Sequence, residues 1–577
     1  MSYPVRTEIV SGSKTFHIVA VATSIVSLFY LFWRLFSGTV SPAIPIISGF
    51  YFFSECVLIL NLFFFFALFW TRIRRIPTPL DEFDPPLAAD RLPTLDIFVS
   101  TLNEPLEIVQ RTVLAATQVN YPKHTTYVLD DGARKELEQW VQARQKQGDP
   151  IKYIARKKIP GMPDYAKAGN LNHALFQAGT SGEFIFLLDA DHVCKANFAQ
   201  ILLPYFYNFD SATQDYSLNR VAYVQAPDRS WTNLEGNTLA DDTRLFHGPQ
   251  QQANDYLGAV WCTGSAVLLR REALAEIGGF YQATVTEDVP TGFILHSRGW
   301  ESRFHSDPIT CGMPPVNFTA MLRQRQRWTE GDLQQYIRLF PKIIWRLNWK
   351  QRLNYTIGPV SMVCRLFFIF ALIFLPWLAI IQGKWVMALK PLDLVVCLAP
   401  FVILTRVVRI LAFRPVSPRV FYLSEQFYWC TSASFGLGIF RVLFTSKKVK
   451  FWVSPKSKSA PQSFPNLTHL TGILFLTPLI YAVWTYLHSL KTYTSHFGLI
   501  WPAITLAWFL NALFCCWPLI YFSLFKARVC DDYFNDSIKD QETSASWINW
   551  VLLPTSFAPV VTALAGLWVL IKIALDQ

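Results

Sequence analysis

Phe184-Ile185-Phe186-Leu187-Leu188-Asp189-Ala190-Asp191-His192 is the stretch whose reading decides the fold. Its apolar run is far too short to cross a membrane and does not alternate with polar residues, so it reads as a strand buried on both faces. Two carboxylates follow where that strand ends. Ligands of open α/β sheets gather beyond the carboxyl ends of the strands, so Asp189 and Asp191 leave the sheet at its binding edge.

The same grammar continues on both sides. Residues 95–100, 125–129, 151–155 and 221–225 read as further buried strands, with amphipathic helices over 104–118, 134–145 and 167–178. Strands alternating with helices predict an α/β domain with a mostly parallel sheet over residues 91–340. Asp130 closes Tyr127-Val128-Leu129 as Asp189 closes its own run, which places both acids on one edge.

Outside that domain the chain is apolar. With 52% hydrophobic and 16% charged residues among 577, the composition excludes an ordinary soluble enzyme of this size. A hydrocarbon core of about 30 Å needs about 20 helical residues. Seven runs reach that length: 16–36, 44–70, 357–381, 392–412, 468–487, 497–525 and 550–575. The first lacks a small-residue cleavage pattern and is expected to be retained.

The loop 37–43 is uncharged, whereas the second run ends in Thr71-Arg72-Ile73-Arg74-Arg75. Basic residues stay cytosolic, which predicts a cytosolic α/β domain in a polytopic protein of the plasma (inner) membrane. An eighth apolar segment, 420–444, is expected as an interfacial helix with Glu425 and Arg441 at the water boundary. A crossing there would put Lys447, Lys448, Lys450, Lys456 and Lys458 outside. Residues 336–353 interleave apolar and basic side chains, as an amphipathic helix on the inner leaflet would.

The expected organisation is 1–76 with two spans, a Pro-rich linker at 77–90, the α/β domain at 91–340, and 341–577 with interfacial helices and about five further spans. Ten cysteines without a C-x-x-C pair predict reduced, packed thiols. The net charge of +11 clusters beside the spans, which suits lipid headgroups and a nucleotide diphosphate and argues against nucleic acid as a partner.

Asp189 and Asp191 offer hard oxygen ligands for Mg²⁺ or Mn²⁺, with His192 beside them, although acids in a turn are also commonly just solvated. Such a metal would offset charge on a leaving diphosphate. Lys167 and Arg327 are candidates to share that load, or else a helix-start lysine and an interfacial arginine. Thr286-Glu287-Asp288 opens a helix expected over 289–297, so Thr286 is a candidate N-cap and Glu287 a dipole partner. Asp288 is a candidate general base. Trp328 offers either an apolar floor for a sugar ring or a membrane-interface anchor. Glu55, inside the second span, is an intramembrane carboxylate that sequence leaves without a partner.

In order, Thr101-Leu102-Asn103-Glu104-Pro105, Asp130-Asp131-Gly132, Lys167-Ala168-Gly169-Asn170-Leu171-Asn172, Asp189-Ala190-Asp191-His192, Thr286-Glu287-Asp288, His296-Ser297-Arg298-Gly299-Trp300 and Gln324-Arg325-Gln326-Arg327-Trp328 form one set. That set resembles the processive, inverting family 2 glycosyltransferases, and most closely the bacterial cellulose synthase catalytic subunits. The resemblance is strong over 95–328 and looser in the spans. It implies a Rossmann-like glycosyltransferase A-type domain that polymerises glucose from UDP-glucose into a β-glucan and passes the chain through its own membrane helices. A periplasmic partner subunit is compatible with it.

By the same resemblance, Glu104 and Asp130 contact the uridine part of the donor, Lys167 contacts the donor, and Thr101 is a substrate-binding residue. Asp189, Asp191 and His192 take metal and diphosphate, and Asp288 is the base. Thr263 and Glu287 line the substrate site. Gln324, Arg327 and Trp328 match Q-x-x-R-W, which places the pyrophosphate and floors the acceptor. Residues 448–460 resemble a gating loop, with Phe451, Val453, Ser454 and Lys456 as its residues and serine where threonine is usual. A basic lipid-facing loop has a similar composition.

Two departures are visible. Trp261-Cys262-Thr263-Gly264-Ser265 carries Thr263 where the family has cysteine, which leaves acceptor orientation and linkage open, whether β-1,4, β-1,3 or mixed. The apolar run 550–575 stands where many Gram-negative relatives carry a cyclic-di-GMP-binding barrel, so in-chain control by that nucleotide is not expected. Chitin- or hyaluronan-like synthesis from UDP-N-acetylglucosamine, lipid glucosylation, and a transporter with a sensor domain are the competing readings.

Overall fold

The structure, a computed structural model, describes residues 4–10, 13–158, 163–230, 243–313, 315, 318–369, 375, 394–416, 420–421, 424–425, 428 and 431–444. Its strands are β1 (Val5–Ile9), β2 (Ile73–Pro77), β3 (Leu95–Thr101), β4 (His124–Asp130), β5 (Ile151–Ile154), β6 (Phe184–Asp189), β7 (Val193–Cys194), β8 (Tyr207–Asp210), β9 (Asp215–Leu218), β10 (Val221–Gln225), β11 (Asp228–Ser230), β12 (Val267–Arg270), β13 (Glu301–Phe304) and β14 (Thr310–Gly312). Seven of them form the central sheet in the order β13-β10-β12-β6-β3-β4-β5. All neighbours run parallel except those of β12, which is antiparallel to both β10 and β6. The expected mostly parallel α/β sheet is present.

Both faces of the sheet are covered, which explains the unbroken apolar runs. Successive side chains point to opposite faces. Phe186 and Leu188 therefore join Val109 and Val113 of α3 (Leu106–Thr117) and Leu137 and Val141 of α4 (Lys135–Lys146). Ile185 and Leu187 join Leu171 and Ala174 of α5 (Ala166–Phe176) and Leu295 of the Asp288–Ser297 helix. The two strands of the central sheet that sequence reading missed, β12 and β13, are four residues each. The first runs directly into a helix at Arg271 and the second is a half-polar edge, so neither shows a strand-length pattern.

Register then sets the site. Ser100 pairs with Asp189 and Thr101 with Asp130, so β3 brings both acids to one level of the edge.

Two helices, Lys14–Phe36 and Pro45–Phe69, are long and apolar enough to cross a membrane. They form a hairpin, α1 (Ser13–Phe36) and α2 (Pro45–Phe69), whose outer ends are tied by β1 and β2 pairing antiparallel from Val5↔Pro77 to Ile9↔Ile73. Arg74 reaches Asp307 at 3.1 Å and Arg75 reaches Asp255 at 2.6 Å, which pins that ribbon to the α/β domain. The uncharged loop after α1 consequently lies at the far end of the hairpin from the domain. The Pro-rich stretch read as a linker is packed, with Leu80 and Phe83 in the core and Phe83 stacked on Tyr216 at 4.4 Å.

Downstream, the helix Trp349–Ile369 packs on α2, and Ala399–Ala412 on α1. Glu425 pairs with Arg406 and Arg409, and Arg441 lies 3.4 Å from Glu330. The helix Ser432–Phe444 thus lies along the Phe318–Arg338 helix. The expected spans 468–487, 497–525 and 550–575 fall outside the described residues, as does most of 370–393. The six described cysteines are free thiols.

Glu55 has partners. Its carboxylate accepts from Arg34 Nε at 2.9 Å and from the Tyr30 hydroxyl, and Arg34 also donates to Thr39 Oγ1 at 2.7 Å. Removing one member of a buried ion pair leaves an uncompensated charge. Glu55→Leu should therefore destabilise the protein in detergent by about 3–5 kcal/mol, and Arg34→Leu added to it should recover much of that loss. Identical melting of the single and double variants would contradict the pairing.

Candidate active site

Three segments meet at the carboxyl edge of the sheet. The end of β6 supplies Asp189, the loop before β12 supplies residues 261–265, and the turn before the Asp288–Ser297 helix supplies Glu287 and Asp288. Lys167, in the first turn of α5, holds them together. Its Nζ donates to Asp189 Oδ1 at 2.5 Å and to the Gly264 carbonyl at 2.8 Å, and lies 3.7 Å from Glu287 Oε1. Burial works against the ammonium, but Asp189 and Glu287 outweigh it and hold its pKa above the ordinary lysine range.

Burial first, and then the charge of Glu287, push the Asp288 carboxyl up to about 7, prevailing over the charge of Lys167, which lowers its pKa. A base near neutrality is suited to take a hydroxyl proton. Its position depends on Gly264, whose φ is +73° and where a Cβ would stand 2.8 Å from Asp288 Oδ2. Only glycine combines that backbone conformation with so close an approach.

The donor-side residues are drawn together differently. Glu104 Oε2 accepts from Thr101 Oγ1 at 2.7 Å and from the Leu102 N–H at 2.8 Å. Asp130 is wholly buried and accepts from Gly132, Arg134 and the Tyr153 hydroxyl, the last at 3.0 Å. It anchors Arg134 and Tyr153, and Arg134 in turn reaches the Glu104 carbonyl and Thr101. Asp131 is held by Arg156 at 2.5 Å and Lys158 at 2.9 Å. Arg134, Tyr153 and Arg156 were not singled out from sequence. Arg134 sits four residues after Asp130, a spacing that could have shown it.

The helix Phe318–Arg338 carries Gln324, Arg327 and Trp328, all half-buried. Arg325 stacks its guanidinium 4.1 Å from the centroid of the Trp328 ring. Gly331 lets this helix touch the catalytic turn, since a Cβ there would stand 2.3 Å from Thr286 Oγ1. Thr263 enters through its backbone, its N–H donating to Gln225 Oε1 at 2.9 Å. Phe451, Val453, Ser454 and Lys456 fall outside the described residues.

The acids at the end of β6 are suited to a divalent cation. Asp189 keeps 41% of its side chain exposed at the edge, and the buried Asp191 accepts the Met313 N–H at 3.1 Å. Two carboxylates at a strand end fit a hard ion that takes its remaining ligands from phosphate and water. His192 has Nδ1 2.6 Å from Ser265 Oγ, and its ring lies against Gly312, where a Cβ would be 2.1 Å away. Among the described residues no three His, Cys, Asp or Glu side chains gather as a metal group, so the expected trio with His192 is not drawn together.

Comparisons with known proteins point to one class of enzyme. The family model for a glycosyltransferase like family 2 matches residues 93–331, and that for cellulose synthase matches 273–484. The chain is 33% identical over 386 residues to a cellulose synthase catalytic subunit (UDP-forming) of Komagataeibacter sucrofermentans, covering 64% of this chain and 48% of that protein. It is 32% identical over 343 residues to the corresponding subunit of Pseudomonas fluorescens, covering 58% and 44%. The chain thus spans about half the length of these relatives. A solved mannosyltransferase of Pyrobaculum calidifontis, in complex with GDP-Man and Mn²⁺, matches at 15% identity and a TM-score of 0.45 over 70% of this chain and 100% of that one. With ordered blocks converging on one sheet edge and two family models matching successive stretches across it, the chain carries a family 2-like glycosyltransferase domain and is similar to the cellulose synthases.

Proposed function

We propose that this chain is a processive, inverting β-glucan synthase of the inner membrane, which adds glucose from UDP-glucose to a growing chain and passes that chain across the bilayer. The observation that carries this reading is the Lys167 bridge, which sets Asp189 of the donor edge beside the Glu287–Asp288 turn. Asp288 takes the proton of the acceptor hydroxyl as its oxygen bonds to the anomeric carbon. The bond from that carbon to the diphosphate oxygen breaks on the opposite face, and UDP leaves with the electron pair.

Lys167 and Arg327 would stabilise the negative charge that builds on the leaving diphosphate. Asp189 and Asp191 would hold a Mg²⁺ or Mn²⁺ that neutralises the diphosphate. Trp328 floors the acceptor sugar through the apolar face of its ring. The hairpin α1–α2 and the helices packed on it supply the membrane part, with lipids as surroundings and room for a periplasmic partner subunit.

Purified protein in lipid with Mg²⁺ should incorporate label from UDP-glucose into a polymer that a β-1,4- or a β-1,3-specific glucanase degrades. Incorporation from UDP-N-acetylglucosamine alone would replace this reading by a chitin- or hyaluronan-like one, and a single glycolipid product by lipid glucosylation. Asp288→Asn should lower incorporation by about 10²–10⁴-fold while UDP still binds; an active variant would contradict the base assignment. Because Asp288 must be ionised to accept the proton, incorporation should rise with pH through about 7, well above the ordinary aspartate range. A rate that stays flat down to the ordinary aspartate range would contradict the raised carboxyl.

A further inference from the structure

The Phe318–Arg338 helix carries an acid that this reaction scheme does not use. Asp332 stands one turn beyond Trp328, and residues four apart share a helix face with β-carbons about 5–6 Å apart. That separation is comparable to one pyranose ring. The helix is fixed in rotation against the turn that leads into Asp288. Gly331 lies against Thr286, and Gln334 Oε1 accepts the Val285 N–H at 3.2 Å.

Surrounding charges decide the form of this carboxyl. Lys167 is shared by Asp189 and Glu287. Asp332 accepts one hydrogen bond from the neutral amide of Gln335 at 3.2 Å, and its neighbour Tyr336 stays neutral. On the next helix, Arg441 lies against Glu330. Burial, and then the like charge of Asp288, push the Asp332 carboxyl up to about 7. Where two carboxyls act on each other in a buried site, ionisation of one opposes ionisation of the other.

We propose that Asp332 is a positioning residue of the acceptor subsite: kept protonated, it donates its carboxyl O–H to a hydroxyl of the sugar on Trp328 and turns the attacking hydroxyl toward Asp288. This rests on the reading of Asp288 as base and Trp328 as acceptor floor. Water competes with a poorly held acceptor for the donor, so the role shows in the ratio of UDP released to sugar incorporated.

Both quantities are measured for the full chain in lipid with Asp332→Ala and Asp332→Asn, with UDP binding followed by calorimetry. Asp332→Ala should lose up to about tenfold in incorporation and release UDP in excess of sugar incorporated. Asp332→Asn keeps a neutral hydrogen-bond donor and should recover the coupling and most of the incorporation that alanine loses. Asparagine as defective as alanine, alanine indistinguishable from wild type, or release and incorporation falling in step would each overturn the proposal alone. A wild type that binds UDP but incorporates no sugar would overturn the proposed reaction and this inference together.

Discussion

The ammonium of Lys167 is the contact on which the rest of the site depends. It joins the end of a strand at Asp189, a loop carbonyl at Gly264 and the start of a helix at Glu287, three pieces well apart in sequence. Without it Asp189 and Glu287 would face each other and Asp288 in a partly buried edge. Uncompensated buried charge costs several kcal/mol per ion. The same ammonium favours ionised Asp288, but burial and the charge of Glu287 outweigh it and keep that carboxyl raised.

Close backbone approach does the remaining positioning. Gly264 and Gly331 bring the 261–265 loop and the Q-x-x-R-W helix against the turn that leads into Asp288. The β1–β2 ribbon and its two arginine pairs hold the apolar hairpin on the domain, so site and membrane part form one connected structure.

Much of this was legible in the sequence, for identifiable reasons. The strands ending in Asp130 and Asp189 announce themselves because burial on both faces demands unbroken apolar runs. The two membrane-length helices follow from hydrophobic length alone. What sequence could not show depends on neighbours distant in the chain. That Asp130 is wholly buried with Arg134 and Tyr153 around it, and that His192 rests on Ser265 and Gly312, are such cases. Glu55 gained a partner only when α1 and α2 packed. Asp332 lies one turn beyond a recognised motif, but its relation to Asp288 exists only in the folded arrangement.

The most direct test of this account is sugar transfer and UDP binding by a Lys167→Met variant, which keeps the length of the side chain and removes its charge. The account predicts a folded protein with weakened UDP binding and transfer lowered by about 10²-fold or more. Transfer at the wild-type rate would contradict it, because the donor edge and the base would then be held together by something other than this ammonium.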